Sequence, residues 1–494
     1  MPTRSISTAI SNVGHRILEC RAAVCFLFAL ALSCISLPIT STAQTFTILA
    51  NFDGSNGSQP VAALVQGLDG SFYGPTTAGG AYSGGTVFKV TQQGTLTAIY
   101  SFCAQSGCPD GRQADSQMIQ ALDGNFYGTT TFGGINDNYG TVYKITAEGK
   151  LKTLYEFCSQ SNCSDGAYLY GGIIQATNGN FYGTTNEGGD LTCFAPYGCG
   201  TVFKLTPTGV LTTLYSFHTG DGQSPFAGLV QARDGNFYGT TGYGGAYGYG
   251  TVFKITPSGA FTTLYSFCAQ TFCTDGSLSY GPLIQGTDGN LYGMTENGGT
   301  VQFGGTIYKI TPAGILTTLH NFSISDGSGP DDALVEAVDG NFYGTTVAGG
   351  DYNVGTAFKI SPSGVFSTLI SFGVPTTGGT YPSGLIQSTD GNFYGIAEAG
   401  GANNDGLVFR LSVGLGPFVQ TRPTSGKVGA KIFILGNNLT GTTSVSFNGT
   451  AATYTVISDT EIKATVPAGA TTGKVQAKTP SGTLKSNFAF RVRP

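Results

Sequence analysis

The sequence predicts an all-β chain: a seven-bladed β-propeller of four antiparallel strands per blade, followed by a small β-sandwich. Three observations predict it. The phrase DGNFYGTT at 123–130 returns in near-copies beginning at Asp69, Asn178, Asp234, Asp288, Asp339 and Asp390. Such a fixed period, near 50 residues, marks one supersecondary unit repeated. Each interval carries four short strand-like runs divided by turn residues. The composition fits as well, with 77 Gly, no Trp and 10% charged residues in 494. That is too much glycine for a helical protein and too little charge for a disordered one.

In chain order, residues 1–43 read as a signal peptide. Arg4, His15, Arg16 and Arg21 precede an apolar run at 22–39, and Ser41 and Ala43 stand at −3 and −1 of a small-residue cleavage site. The mature chain is then expected to start at Gln44. The competing expectation is an uncleaved anchor, for which the run is short. A lipoprotein site at Cys34 fits poorly, since ALS precedes it. No later segment is apolar enough to span a membrane as a helix. The formal net charge is −5 and neither sign forms a run, so neither nucleic acid nor an anionic membrane surface is an expected partner.

The repeat unit is cleanest at 227–267. AGLVQA is a short apolar strand and RDGN a tight turn in which Asp tolerates turn geometry and Gly supplies positive φ. FYGTT is a second strand, GYGGAYGYG a loop, TVFKIT a third strand, PSG a turn and AFTTLYSF a fourth strand. Four hairpin-linked strands make one propeller blade. Fourth-strand copies stand at 95–102, 150–157, 210–217, 260–267, 315–322 and 365–372, while the last repeat stops at GLVFRL (406–411). The missing copy is TFTILANF at 45–52, so the N-terminal strand is expected to close the last blade and cover its open edge.

These residues resemble the bacterial GloVer (Gloeo_Verruco) tandem repeat, whose units read much like DGNFYGTT…GG…GTVFKITP.G.LTTLYSF. The resemblance covers about 45–411. It implies an exported surface protein and brings no defined activity or catalytic residues. The propeller is assigned to 44–413. At 414–426 the composition shifts, and 417–494 resembles an IPT/TIG domain, an immunoglobulin-like sandwich. The matching marks are PTSG at 423–426, ILGNNL at 434–439, FNG at 447–449 and VPAG at 466–469. Short alternating strands separated by Gly, Thr and Asn turns suit such a sandwich. The chain ends at FAFRVRP without an apolar tail, so the C-terminal anchor of some relatives is not expected.

Eight of the eleven cysteines follow the signal, in four close pairs: Cys103/Cys108, Cys158/Cys163, Cys193/Cys199 and Cys268/Cys273. Zinc sites favour C-x2-C pairs or added histidines, and only His218 and His320 remain in the mature chain. Export to an oxidising space makes four local disulfides the expectation, each contributing about 2 kcal/mol in the chain-entropy picture.

Three residue series recur blade by blade. Asp69, Asp123, Asn178, Asp234, Asp288, Asp339 and Asp390 occupy the turn. They are expected to bond their own backbone, since catalysis needs one unique constellation and not seven copies. Lys89, Lys144, Lys204, Lys254, Lys309, Lys359 and Arg410 are their expected partners from the third strand. Gln66, Gln120, Gln175, Gln231, Gln285, Glu336 and Gln387 lie on the innermost strand. The sequence leaves two roles open for them: lining a polar channel, or satisfying backbone groups between blades.

No G-x-S-x-G, H-E-x-x-H or P-loop is present. DGSNG at 53–57 lacks the other ligands of a calcium loop. No cofactor or metal is expected. Strand order puts the tight turns on one face and the second-to-third and interblade loops on the other, where variable loops on a rigid ring suit binding. The aromatic residues there are Tyr82, Tyr139, Tyr197, Tyr243, Tyr247, Tyr249, Phe303 and Tyr352. They can stack on sugars or anchor a protein partner, or pack over the blade ends. The expectation is a monomeric, non-enzymatic binding protein located outside the cell, at its surface or in the periplasm, with a carbohydrate or protein ligand. The alternative is a carbohydrate-active hydrolase or lyase using loop acids among Asp137, Glu187, Asp190, Glu296, Asp351 and Asp405.

Overall fold

Every FYGTT segment becomes a strand buried on both faces, as in Phe126–Thr130 and Phe237–Thr241. Its central glycine is required by the neighbouring strand. A Cβ on Gly128 would collide with the Tyr143 hydroxyl, and one on Gly239 would lie 2.6 Å from the Phe253 ring. The third-strand aromatic therefore lies flat across a backbone with no side chain. The structure is a computed structural model and describes residues 44–135, 138–373 and 377–493. The expected signal at 1–43 and the loop acid Asp137 lie outside them.

Among the described residues, seven four-stranded antiparallel sheets succeed one another along the repeats, a repeated all-β arrangement consistent with a β-propeller. Six sheets are contiguous in sequence. The seventh joins Gly379–Gln387, Phe393–Gly400 and Leu407–Ser412 to Thr45–Asn51 from the other end of the repeats. Phe46 pairs with Leu411, Ile48 with Phe409 and Ala50 with Val408. The Phe46 ring stacks on Phe409 at 5.2 Å. Ile48 is 41% exposed, because the strand is outermost. The irregularity between Ile48 and Ala50 then returns Leu49, Ala50 and Phe52 to the core shared with the first sheet.

Neighbouring sheets are joined by two repeated contacts. The tyrosine of each second strand meets the residue that opens the next one. Tyr73–Phe126, Tyr127–Phe181, Tyr182–Phe237, Tyr292–Phe342 and Tyr343–Phe393 have centroids 4.1–4.3 Å apart. Tyr394 returns to Phe72 at 4.1 Å, and Leu291 takes the phenylalanine's place in the core beside Tyr238.

The second contact settles the role of the glutamine series. Gln120 Oε1 accepts from Leu68 N at 3.0 Å, Gln175 from Leu122 N at 3.0 Å, Gln231 from Thr177 N at 2.9 Å and Gln285 from Arg233 N at 2.8 Å. Glu336 accepts from Thr287 N at 2.9 Å, Gln387 from Val338 N at 3.0 Å, and Gln66 from Thr389 N at 3.2 Å. The last bond joins the seventh sheet to the first and completes a circuit. The amides thus serve backbone groups between sheets.

The turn acids are structural in the same sense. Asp123 accepts from Asn125 N, from the Tyr127 hydroxyl at 2.9 Å and from Lys144 Nζ at 2.7 Å. Partial burial opposes its ionisation, but the bonds from Lys144, Asn125 and Tyr127 prevail and hold the carboxyl down at about 2. Lysine–aspartate pairs of this kind recur at Asp69, Asp234 and Asp339. On the other face, the disulfides Cys103–Cys108, Cys158–Cys163, Cys193–Cys199 and Cys268–Cys273 are formed. Buried Asp165 and Asp275 brace two of these loops by accepting backbone N–H groups and a tyrosine hydroxyl. Four disulfides point to an exported protein. No helix among the described residues is long and apolar enough to cross a membrane.

Beyond 417, two sheets of four and five strands share one core around Ile434, Phe447, Ile462, Val475 and Phe490. This module sits on the tight turns, and Gln44–Pro494 forms one compact unit. Phe418 N donates to Thr389 O at 3.0 Å, Asn437 Nδ2 to Thr389 Oγ1 at 2.9 Å and Thr460 Oγ1 to Leu68 O at 2.7 Å. Arg422 donates to Gln120 Oε1 at 2.9 Å and to Gln66 O at 2.7 Å, so its guanidinium ends on the amide circuit itself. Burial lowers its pKa to about 10.

Two outcomes follow from closure. Deleting 44–52 strips the edge at Leu407–Ser412 and removes Ala50 and Phe52 from a core, so it is expected to abolish a single cooperative melt and cause aggregation; calorimetry with light scattering checks this. Gln66→Leu leaves Thr389 N without its acceptor in a buried place, and urea unfolding is expected to show a loss of about 1–3 kcal/mol.

Candidate functional site

Each inner strand is entered by a short segment ending on a buried apolar residue: Leu64, Met118, Ile173, Leu229, Leu283, Leu334 and Leu385. Three positions upstream stand Val61, Asp115, Tyr170, Phe226, Tyr280, Asp331 and Pro382. The first six line one cavity of about 330 Å³, and Ser383 contributes from the seventh sheet. Because all seven sheets supply walls, the cavity lies where their inner strands converge. It opens at the end opposite the tight turns, which carry the C-terminal module.

The lining is not symmetric. The third, fourth and fifth sheets contribute an arc of rings, with Tyr170–Phe226 at 5.5 Å and Phe226–Tyr280 at 4.6 Å. Tyr280 donates from its hydroxyl to that of Tyr243 at 2.8 Å. Gly242 makes room for this ring, since a Cβ there would stand 2.6 Å from Tyr280 Cε1. Carboxylates flank the arc: Asp115 on the second sheet, Asp331 and Asp332 on the sixth.

Burial in the walled cavity pushes Asp331 up to about 7, and the charges of Asp332, Glu296 and Glu398 add to the effect. Asp331 is exposed to the cavity, and it is the surrounding walls, not close packing, that displace bulk solvent around it. Burial raises Asp115 to about 6, against a bond from Thr131 Oγ1 at 2.8 Å. Burial also raises Asp332, which accepts from Ser383 Oγ at 3.0 Å and from Ala333 N. Among the described residues no lysine, arginine or histidine lines the cavity, and no cluster of three His, Cys, Asp or Glu suited to a metal occurs.

The eight aromatic residues singled out in the sequence do not converge. Tyr243 alone joins the arc. Tyr139 packs on Tyr168 at 5.4 Å and Tyr197 on Phe194 at 5.8 Å. Tyr82, Tyr247, Tyr249, Phe303 and Tyr352 are 42–68% exposed. Tyr82 lies near Tyr100 and Tyr247 near Tyr265, both on outer strands, so these two loops lean outward from the axis. Of the loop acids, Glu187 and Glu296 are half-buried and raised by that burial. Asp190 bonds Thr192 and faces His218 at 3.3 Å. The sequence reading missed Asp115, Tyr170, Phe226, Tyr280, Asp331 and Asp332. A signal was present: this column changes character from repeat to repeat, while the strands around it barely vary.

The raised carboxyls make stability pH-dependent. A carboxyl whose folded pKa exceeds its unfolded value of about 3.9 contributes stability below that value and loses it as pH rises through the folded pKa. For Asp115 and Asp331 the loss runs through about 6 and 7. Asp331→Asn is expected to melt higher than the parent at about pH 8 and like it at about pH 4, as thermal melts across pH would show.

In sequence, the profile of the Gloeobacter/Verrucomicrobia repeat matches residues 37–232, 192–300 and 234–457. No curated protein matches the chain. Among solved structures, it is similar to two extracellular domains of hybrid two-component systems from B. thetaiotaomicron. One is 11% identical with a TM-score of 0.48, covering 82% of this chain and 45% of that one. The other is 14% identical with a TM-score of 0.47, covering 92% and 58%. A third is PorZ, a surface component of the type-IX secretion system of Porphyromonas gingivalis, 13% identical with a TM-score of 0.45, covering 90% and 60%. The chain therefore spans about half the length of the structures first matched. The three sequence matches together span residues 37–457, and the chain belongs to the Gloeobacter/Verrucomicrobia repeat family.

Proposed function

We propose that this is an exported, monomeric, non-enzymatic binding protein, a seven-bladed β-propeller that takes up a carbohydrate or protein ligand on its loop face. In this reading the axial cavity is the binding cup. Residues 417–494 form an immunoglobulin-like IPT/TIG module that closes the opposite end. The supporting observation is the arc of Tyr170, Phe226 and Tyr280 in a walled cavity. Aromatic faces set in concave sites supply contact area at low entropic cost. Tyr82, Tyr139, Tyr197, Tyr247, Tyr249, Phe303 and Tyr352 would act as peripheral contacts to a larger ligand, and Tyr243 as the bridge from rim to cup. The amide circuit makes the ring rigid, so binding costs little reorganisation.

One observation favours a second reading. Asp331 is raised to about 7, the range suited to a general acid, and other carboxyls share its cavity. A hydrolase built here would release new reducing ends from an oligosaccharide and lose that activity in Asp331→Asn.

Glycan-array screening of the mature protein, followed by calorimetry on hits, tests the binding reading. Phe226→Ala is expected to weaken binding by about 1–3 kcal/mol, as for an anchor in a pocket. The double change Tyr247→Ala and Tyr249→Ala is expected to stay within about 0.5 kcal/mol of the parent. The opposite ranking would move the site to the rim loops.

A further inference from the structure

We propose that the axial cup recognises an amino sugar, a saccharide ring bearing a free ammonium group. This rests on the reading of the cup as a binding site and names its ligand class. Two features of one cavity carry it. The first is the aromatic arc of Tyr170, Phe226 and Tyr280, which lines one side of the cavity with aromatic surface suited to the apolar face of a sugar or to a cation. The second is the charge of the remaining wall: Asp115, Asp331 and Asp332 with no base among the lining residues.

The three carboxylates are not equivalent. Asp332 is occupied by Ser383 Oγ and two backbone N–H groups. Asp115 receives Thr131 Oγ1 on one oxygen only. Asp331 receives no side-chain donor among the described residues. Elsewhere in this protein, acids of the repeat are satisfied by lysine, tyrosine or backbone N–H groups, as at Asp123, Asp165 and Asp275. Unmatched acceptors beside an aromatic wall call for a guest that is both cationic and ring-shaped. An ammonium donates up to three hydrogen bonds, charge-assisted toward carboxylates. A bare metal ion fits less well, since half the wall is apolar and no three-residue ligand cluster is present among the described residues. A neutral sugar would use the rings and leave the carboxylates unmatched.

The test compares oligomers of glucosamine with the same oligomers N-acetylated, which differ only in the charge and size of one substituent. Calorimetry uses the mature chain at neutral pH and physiological salt. The expected result is a preference of about 10- to 100-fold for the free amine, the scale of a charged hydrogen bond in a desolvated site. Asp331→Asn, and separately Asp115→Asn, should reduce that preference severalfold, through weaker binding of the free amine. Asp351→Asn, at an exposed outer loop, should alter neither and so controls for general attraction to an acidic protein. Equal affinity for both oligomers, lost together in Phe226→Ala, would overturn the amino-sugar assignment and leave the binding cup standing. A preference that survives both aspartate changes would overturn it too. So would a response to a lysine peptide and to neither oligomer.

Discussion

The fold depends on a closed circuit of seven hydrogen bonds. In each sheet a backbone N–H just after the inner strand ends on the inner-strand side chain of the next, and Thr389 to Gln66 completes the round. Closure imposes one geometry on every repeat, because an error in one sheet cannot relax at a free end. That explains why the phrase around Asp123 recurs with so little variation. Its aspartate sets the turn that presents the N–H, its tyrosine meets the next sheet, and its glycine lets the third-strand aromatic lie flat. The phrase holds the ring together.

The same closure leaves the axial column free to vary. Six of the seven residues three positions before the buried apolar residue that leads into each inner strand, Val61 to Asp331, line shared space and meet no partner in the circuit. Val61, Asp115, Tyr170, Phe226, Tyr280, Asp331 and Pro382 differ in size, charge and shape for this reason. Rigidity and recognition are carried by different columns of one repeat. Arg422 adds an asymmetry at the other end, where its guanidinium bonds Gln120 Oε1 and Gln66 O. The C-terminal module is fastened to the circuit itself, not to a loop.

Much of the framework was legible in the sequence. The orphan strand at 45–52 was readable because its alternation matched a copy missing from the last repeat, and the cysteine pairs were readable from spacing. The role of the glutamines stayed open, since a period in sequence does not say whether a side chain faces the axis or the next sheet. The candidate site was largely illegible for a related reason. Tyr82 and Tyr247 stand out in the sequence because they sit in variable loops, and the structure places them near the outer-strand residues Tyr100 and Tyr265. The axial residues lie in short connections with no motif, and only the curvature of the ring brings Asp331 and Tyr170 to one cavity. Arg422 was equally hidden, because module docking depends on surface shape and not on pattern.

Native-state hydrogen exchange at the N–H groups of Leu68, Leu122, Thr177, Arg233, Thr287, Val338 and Thr389 tests the circuit most directly. If closure makes the ring one cooperative unit, all seven exchange with a single opening free energy equal to that of global unfolding. A graded series, with repeats opening one after another as in an open solenoid, would contradict it.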